Sequence, residues 1–172
     1  MSTLTELLKL EVDAVYRAAE GLFKLVDKDK LNWKPATGKN WMTTGQLMQH
    51  CTDACGFCVK GFITGDWSRP SANPEEHVGM LPAEKMATAK SVDDALKLLA
   101  ADKAQTLKLI TEAGDKNLFE KKVAAPWGGP PMPLGLHVWE MIGHLNTHKA
   151  QLYYYLKLQG KDVNTMHMWG AA

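Results

Sequence analysis

The feature that most restricts the fold is a helical rhythm of apolar residues, which recurs in four stretches and is nowhere replaced by a run of strand–turn–helix units. In the first stretch Leu4, Leu8, Val12, Val15, Ala19, Leu22 and Val26 follow one another at intervals of three or four, with Lys9, Asp13, Arg17 and Lys24 between them. That spacing lays one apolar stripe along an α-helix. Thr3 and Glu6 stand as a capping box at its start, each side chain able to satisfy a free backbone N–H. The run DKDKLNWKPATGKNW that follows has no period and reads as a loop.

A second capping box, Thr43 with Gln46, opens a helix whose stripe is Leu47, His50, Ala54, Phe57 and Gly61, flanked by Cys51, Cys58 and Phe62 and ending near Gly65. Residues 66–90 contain three prolines and form a long connection. Ser91 caps the third helix, with Asp94 placed favourably for the helix dipole; it runs through Leu96, Leu99, Leu107 and Ile110 to Gly114. After an irregular stretch ending in PWGGPPMP, the fourth helix starts near Leu134, carries Val138, Met141, Leu145, His148, Leu152 and Leu156, and closes at Gly160 in a left-handed cap. Four such rods predict an all-α four-helix bundle. Extended chain covers ~3.3 Å per residue, so the long link can run the length of the bundle and leave helices two and three parallel.

With 172 residues the chain is expected to be a single domain over residues 1–172, large enough to bury a core. A formal net charge of +1 gives no electrostatic reason to bind nucleic acid. The opening MSTLTELLKLEVDAV lacks the character of a secretory signal, and no apolar run approaches the ~20 residues of a membrane span. A cytoplasmic protein that meets neither membrane nor nucleic acid is therefore expected.

Of the six histidines, three are expected to meet. His144 and His148 are one turn apart, which lets two imidazoles reach a common ion. His50 lies in the stripe of the second helix, and a bundle brings such stripes together. Burying several imidazoles leaves many polar atoms to satisfy, and one metal ion satisfies them jointly. His137 lies ~10 Å along the axis from His144, too far to share the ion, and either lines a pocket or sits at the surface. His77 and His167 read as solvated or locally packed. The pair His144-Leu-Asn-Thr-His148 has the spacing of the zinc-protease signature H-E-x-x-H, but Leu145 stands where the glutamate would be.

Cys51, Cys55 and Cys58 have a C-x3-C-x2-C spacing seen in iron–sulfur enzymes, yet they fall inside an amphipathic helix; reduced, buried thiols fit better. Glu140, one turn before His144, either orients an imidazole or sits on the exposed helix face, the second reading being preferred. Trp41 and Trp127 either wall a pocket or belong to the core.

The runs Trp41-Met-Thr-Thr-Gly-Gln-Leu-Met-Gln-His50 and His144-Leu-Asn-Thr-His148-Lys-Ala-Gln151-Leu-Tyr-Tyr-Tyr-Leu156 resemble the DinB-like metalloenzymes of the DinB/YfiT superfamily. The resemblance implies an up-down-down-up four-helix bundle and a homodimer. It also implies a divalent metal held by His50, His144 and His148. Characterised members are thiol-dependent S-transferases and a mycothiol-dependent isomerase. Three imidazoles suit zinc, nickel, copper or iron, with zinc and nickel the expected ions. They leave a coordination position open, where water or a thiol becomes easier to ionise. Without the glutamate that serves proteases as general base, the expected activity is metal-dependent transfer of a low-molecular-weight thiol, as co-substrate, to an electrophilic small molecule. The alternatives are a metal-dependent hydrolase and a non-enzymatic, stress-related protein in which the metal steadies the fold.

Overall fold

The computed structural model describes residues 3–68 and 81–171. Most of them are helical. Helix α1 spans Leu4–Lys24, α2 Thr44–Cys51, α3 Gly56–Thr64, α4 Val92–Glu120 and α5 Leu134–Leu158, and a single turn, α6, covers Thr165–Met168. Both predicted capping boxes form: Thr3 accepts from the Glu6 N–H and Thr43 from the Gln46 N–H, with each return bond also made. Ser91 caps α4 by accepting from the Asp94 N–H. Gly160 follows α5 in the left-handed conformation, φ 84°.

The first stripe is the heart of the core. Leu8, Val12, Val15, Ala19, Leu22 and Val26 are all buried, facing Ala95, Leu99 and Ile110 of α4 and Val138, Leu145 and Leu152 of α5 within one apolar cluster. Helix α1 packs on α4 and α5, α3 on the same two helices, and α2 on α5. That arrangement sets α2 and α3 directly against the histidine-bearing face of α5.

Three departures from the expected elements have local causes. The second helix is not continuous: α2 stops at Cys51, residues 52–55 form turns, and α3 begins at Gly56. The carbonyl of His50 there accepts from both the Asp53 and Ala54 N–H groups, a tightening that ends one helix before the next starts. The third helix does end at Gly114, but a further helical segment follows it at once. That residue takes φ 66° and ψ 162°, which makes a kink, and the chain resumes its helix to Glu120. Such backbone is essentially open only to glycine. Finally, a two-residue antiparallel ladder pairs strand β1, Lys122–Val123, with β2, Met132–Pro133, and gives the run before α5 a fixed shape.

The end of the long link is tied down by Gln46, whose amide donates to the carbonyls of Ala83 (2.6 Å) and Met86 (3.0 Å). His77 lies outside the described residues. At the C-terminus Lys149, 3% exposed, donates to the Met168 carbonyl at 2.8 Å and holds α6 on the bundle. Among the described residues no helix is long and apolar enough to cross a membrane.

Candidate metal centre

Two rods supply the three histidines. His144 and His148 leave successive turns of α5, where Leu145 and Leu152, both fully buried, anchor that face in the core. His50 leaves the last turn of α2, between the buried Leu47 and Ala54. Their Nε2 atoms converge: 2.9 Å from His144 to His148, 3.0 Å from His50 to His148 and 3.4 Å from His50 to His144. All three are partly exposed, and the His50 side chain retains 23% of its surface, so a small molecule can approach.

The other ring nitrogens settle what the Nε2 atoms can offer. His144 Nδ1 lies 3.0 Å from the carbonyl oxygen of Ala54, which accepts and cannot donate. His148 Nδ1 lies 2.7 Å from the side-chain oxygen of Gln151, which likewise accepts. Each Nδ1 therefore carries a hydrogen, and in its neutral form each ring turns an Nε2 lone pair toward the other. Burial, reinforced by neighbouring His144, holds the His148 pKa below the ordinary histidine value, which favours this neutral form. His50 directs its Nδ1 toward the Asp53 carboxylate at 3.9 Å.

Lone pairs crowded this closely repel one another. One shared proton can relieve one contact of the triangle, whereas one cation relieves all three. Zinc bound at ~2.0–2.1 Å with tetrahedral angles holds imidazole nitrogens ~3.3 Å apart, close to the separations here. His50, His144 and His148 thus form a group able to hold a metal ion. Their outer contacts to Ala54, Gln151 and Asp53 are of the kind that orient metal-bound imidazoles.

The remaining candidates lie elsewhere. His137 is neither a surface residue nor a member of the triad: it is 1% exposed, stacks on Phe62 at 4.1 Å, and lies 3.0 Å by Nε2 from the Val123 carbonyl. Glu140 is exposed, and the imidazole near it, at 3.6 Å, is that of His137 rather than His144. His167 contributes to the capping box of α6. Trp41 packs edge-on to Tyr155, while Trp127 leans on Phe62 and Trp67. Cys51 and Cys55 are buried and Cys58 partly so; burial, with Asp102 adding to it, pushes the Cys55 thiol up to about 12, far from a reactive thiolate. The Ala54 carbonyl had no sequence signal, because an unbroken helix would have used it internally. Gln151, three residues after His148, did have one in its spacing.

A family model described as the DinB superfamily matches residues 11–152. The chain belongs to the DinB superfamily. Among solved structures, this DinB-superfamily chain is similar to a DinB-like protein from Bacillus subtilis, YjoA, known from a crystal structure at 2.30 Å resolution. The two share 15% sequence identity and a TM-score of 0.66, over 91% of this chain and 94% of that one. At that identity the likeness speaks for the DinB fold. No curated protein matches the chain.

Proposed function

We propose that His50, His144 and His148 bind a divalent metal ion, zinc or nickel, and that the centre joins a low-molecular-weight thiol to an electrophilic small molecule. The observation that carries this reading is the approach of three Nε2 atoms within 3.4 Å, with Nδ1 of both α5 histidines directed at an accepting oxygen. When bound, such an ion stabilises the anionic form of a thiol at its remaining position.

The residues around the triad favour transfer over hydrolysis. Leu145 occupies the place of the protease glutamate and is fully buried, so that position offers no carboxylate to take a proton from water. Asp53 faces His50 Nδ1 and serves to orient that ring. A thiol that is already ionised attacks without a general base. We also read the bundle as following the up-down-down-up path, with α2 and α3 as one broken rod, because the link over residues 66–90 is long enough to leave α3 and α4 parallel.

The test is thiol consumption with a chloronitrobenzene, in which the thiolate sulfur forms the new bond to carbon and chloride leaves. Zinc- or nickel-loaded protein is expected to accelerate the reaction, and His148→Ala to abolish the acceleration. Ester turnover that ignores added thiol would overturn the transferase reading in favour of hydrolysis.

A further inference from the structure

The break between α2 and α3 places the Ala54 carbonyl against His144, and the break is itself held from outside. Helix α3 begins at Gly56 with no capping side chain of its own, since Cys55 makes no such bond. A residue of another helix takes that role: Asp102 of α4 accepts from the Gly56 N–H at 3.2 Å. A carboxylate there also meets the positive end of the α3 dipole. The same Asp102 oxygen accepts from the Tyr16 hydroxyl of α1 at 2.5 Å, and Thr106 stands 3.4 Å from that hydroxyl.

Gly56 is what lets the carboxylate in. A Cβ on that residue would lie 2.1 Å from Asp102 Oδ1 and 2.9 Å from Thr106 Oγ1. Among the described residues both donors to Asp102 are neutral, so the part-buried acid is held by groups that do not balance its charge, an expensive way to join three helices. An apolar contact would join them more cheaply. A carboxylate does what an apolar side chain cannot: it fixes the direction of the Gly56 peptide. Gly56 is two residues from the carbonyl that orients His144 and six from His50.

We propose that Asp102 is a positioning residue for the histidine triad, acting through Gly56 to hold the α2–α3 break in the geometry that aims the Ala54 carbonyl at His144 Nδ1. Its bearing on metal affinity rests on the metal reading above; its bearing on the His144 ring does not. Asp102→Ala removes the one oxygen that accepts from both Gly56 and Tyr16, and Gly56→Ala displaces the carboxylate while leaving Asp102 in place.

The experiment is done on the full chain, first without metal and then titrated with zinc alone. Nitrogen-15 spectra of the metal-free protein report which nitrogen of His144 carries the hydrogen. Wild type is expected in the Nδ1–H form, and both variants are expected to lose that preference. Zinc affinity is expected to fall ~10–100-fold in both, the usual cost of losing an outer partner of a metal ligand. Leu8→Ala, a core truncation in the first half of α1, is the control and is expected to lose stability while keeping both readouts. The proposal is overturned if the His144 tautomer and the zinc affinity are unchanged in the two variants, or if Leu8→Ala alters them equally. If one variant fails to fold, the other decides. If wild type takes no zinc while the tautomer still responds, the metal reading falls and the positioning role stands.

Discussion

Replacing Tyr16 by phenylalanine isolates one oxygen in the core. Tyr16 is 2% exposed, and its ring packs in the apolar cluster, so the phenylalanine ring fills the same space and no cavity term arises. What is lost is the 2.5 Å bond from the hydroxyl to Asp102. Burial raises the Asp102 pKa to about 7, against the hydrogen bonds from Tyr16 and Gly56 that lower it. In the unfolded chain an aspartate titrates near ~3.9. The folded state therefore holds an extra proton between those values. The stability linked to this group is complete at acid pH, declines as pH rises toward 7, and is gone above it.

Below that range the Tyr16 bond joins two neutral groups and is worth ~1 kcal/mol; above it the acceptor is ionised and the bond is worth ~1.5–3 kcal/mol. Tyr16→Phe is thus expected to cost about twice as much on the alkaline side as on the acid side. The assay is urea unfolding of both proteins at about pH 5.5 and about pH 8.5, where ~2 kcal/mol at an m-value of ~2 kcal/mol/M lowers the midpoint by ~1 M. An equal loss at both pH values, or a loss below ~0.5 kcal/mol at the higher one, would refute the account of a buried, ionising Asp102 held by Tyr16.

Zinc at ~100 times its dissociation constant is expected to stabilise wild type by ~2.7 kcal/mol in thermal unfolding, and His148→Ala to remove that gain. Leu152→Ala, truncating a fully buried side chain of α5, should cost ~2–5 kcal/mol in chemical denaturation. Gly114→Ala forces a Cβ onto φ 66°, ψ 162° and should cost ~1–3 kcal/mol by the same measurement. Thr43→Ala removes the capping oxygen that receives the Gln46 N–H, and a loss of ~1 kcal/mol is expected.

Periodicity carried the rods because burying an apolar stripe is the dominant energy, and Leu8 through Val26 of the first stretch are buried as that pattern requires. The triad was legible for the same reason: His50 and His148 occupy stripe positions, and stripes face one another. What escaped the pattern was decided by single backbone groups. A stripe running from Leu47 to Gly61 is compatible with one helix, and the segment that follows the interruption at 52–55 is met at its first N–H by Asp102, 46 residues away in the chain. Gly114 does end a helix, as glycine commonly does, and what the spacing did not announce is the short helical segment that carries the chain on to Glu120. His137 lacked a distinguishing mark, since its partners are Phe62 of α3 and the carbonyl of Val123 in the β1–β2 ladder, neither of which is its neighbour in the helical pattern.

The triad is also mechanically lopsided. Two of its members stand on a 25-residue helix seated in the core, while the third stands at the end of an 8-residue helix that stops just beyond it. On the proposed metal reading, the long rod is expected to act as the fixed jaw of a vice and the short one as the sliding jaw. Ions of different radius would then be accommodated by travel of His50, while His144 and His148 keep their place.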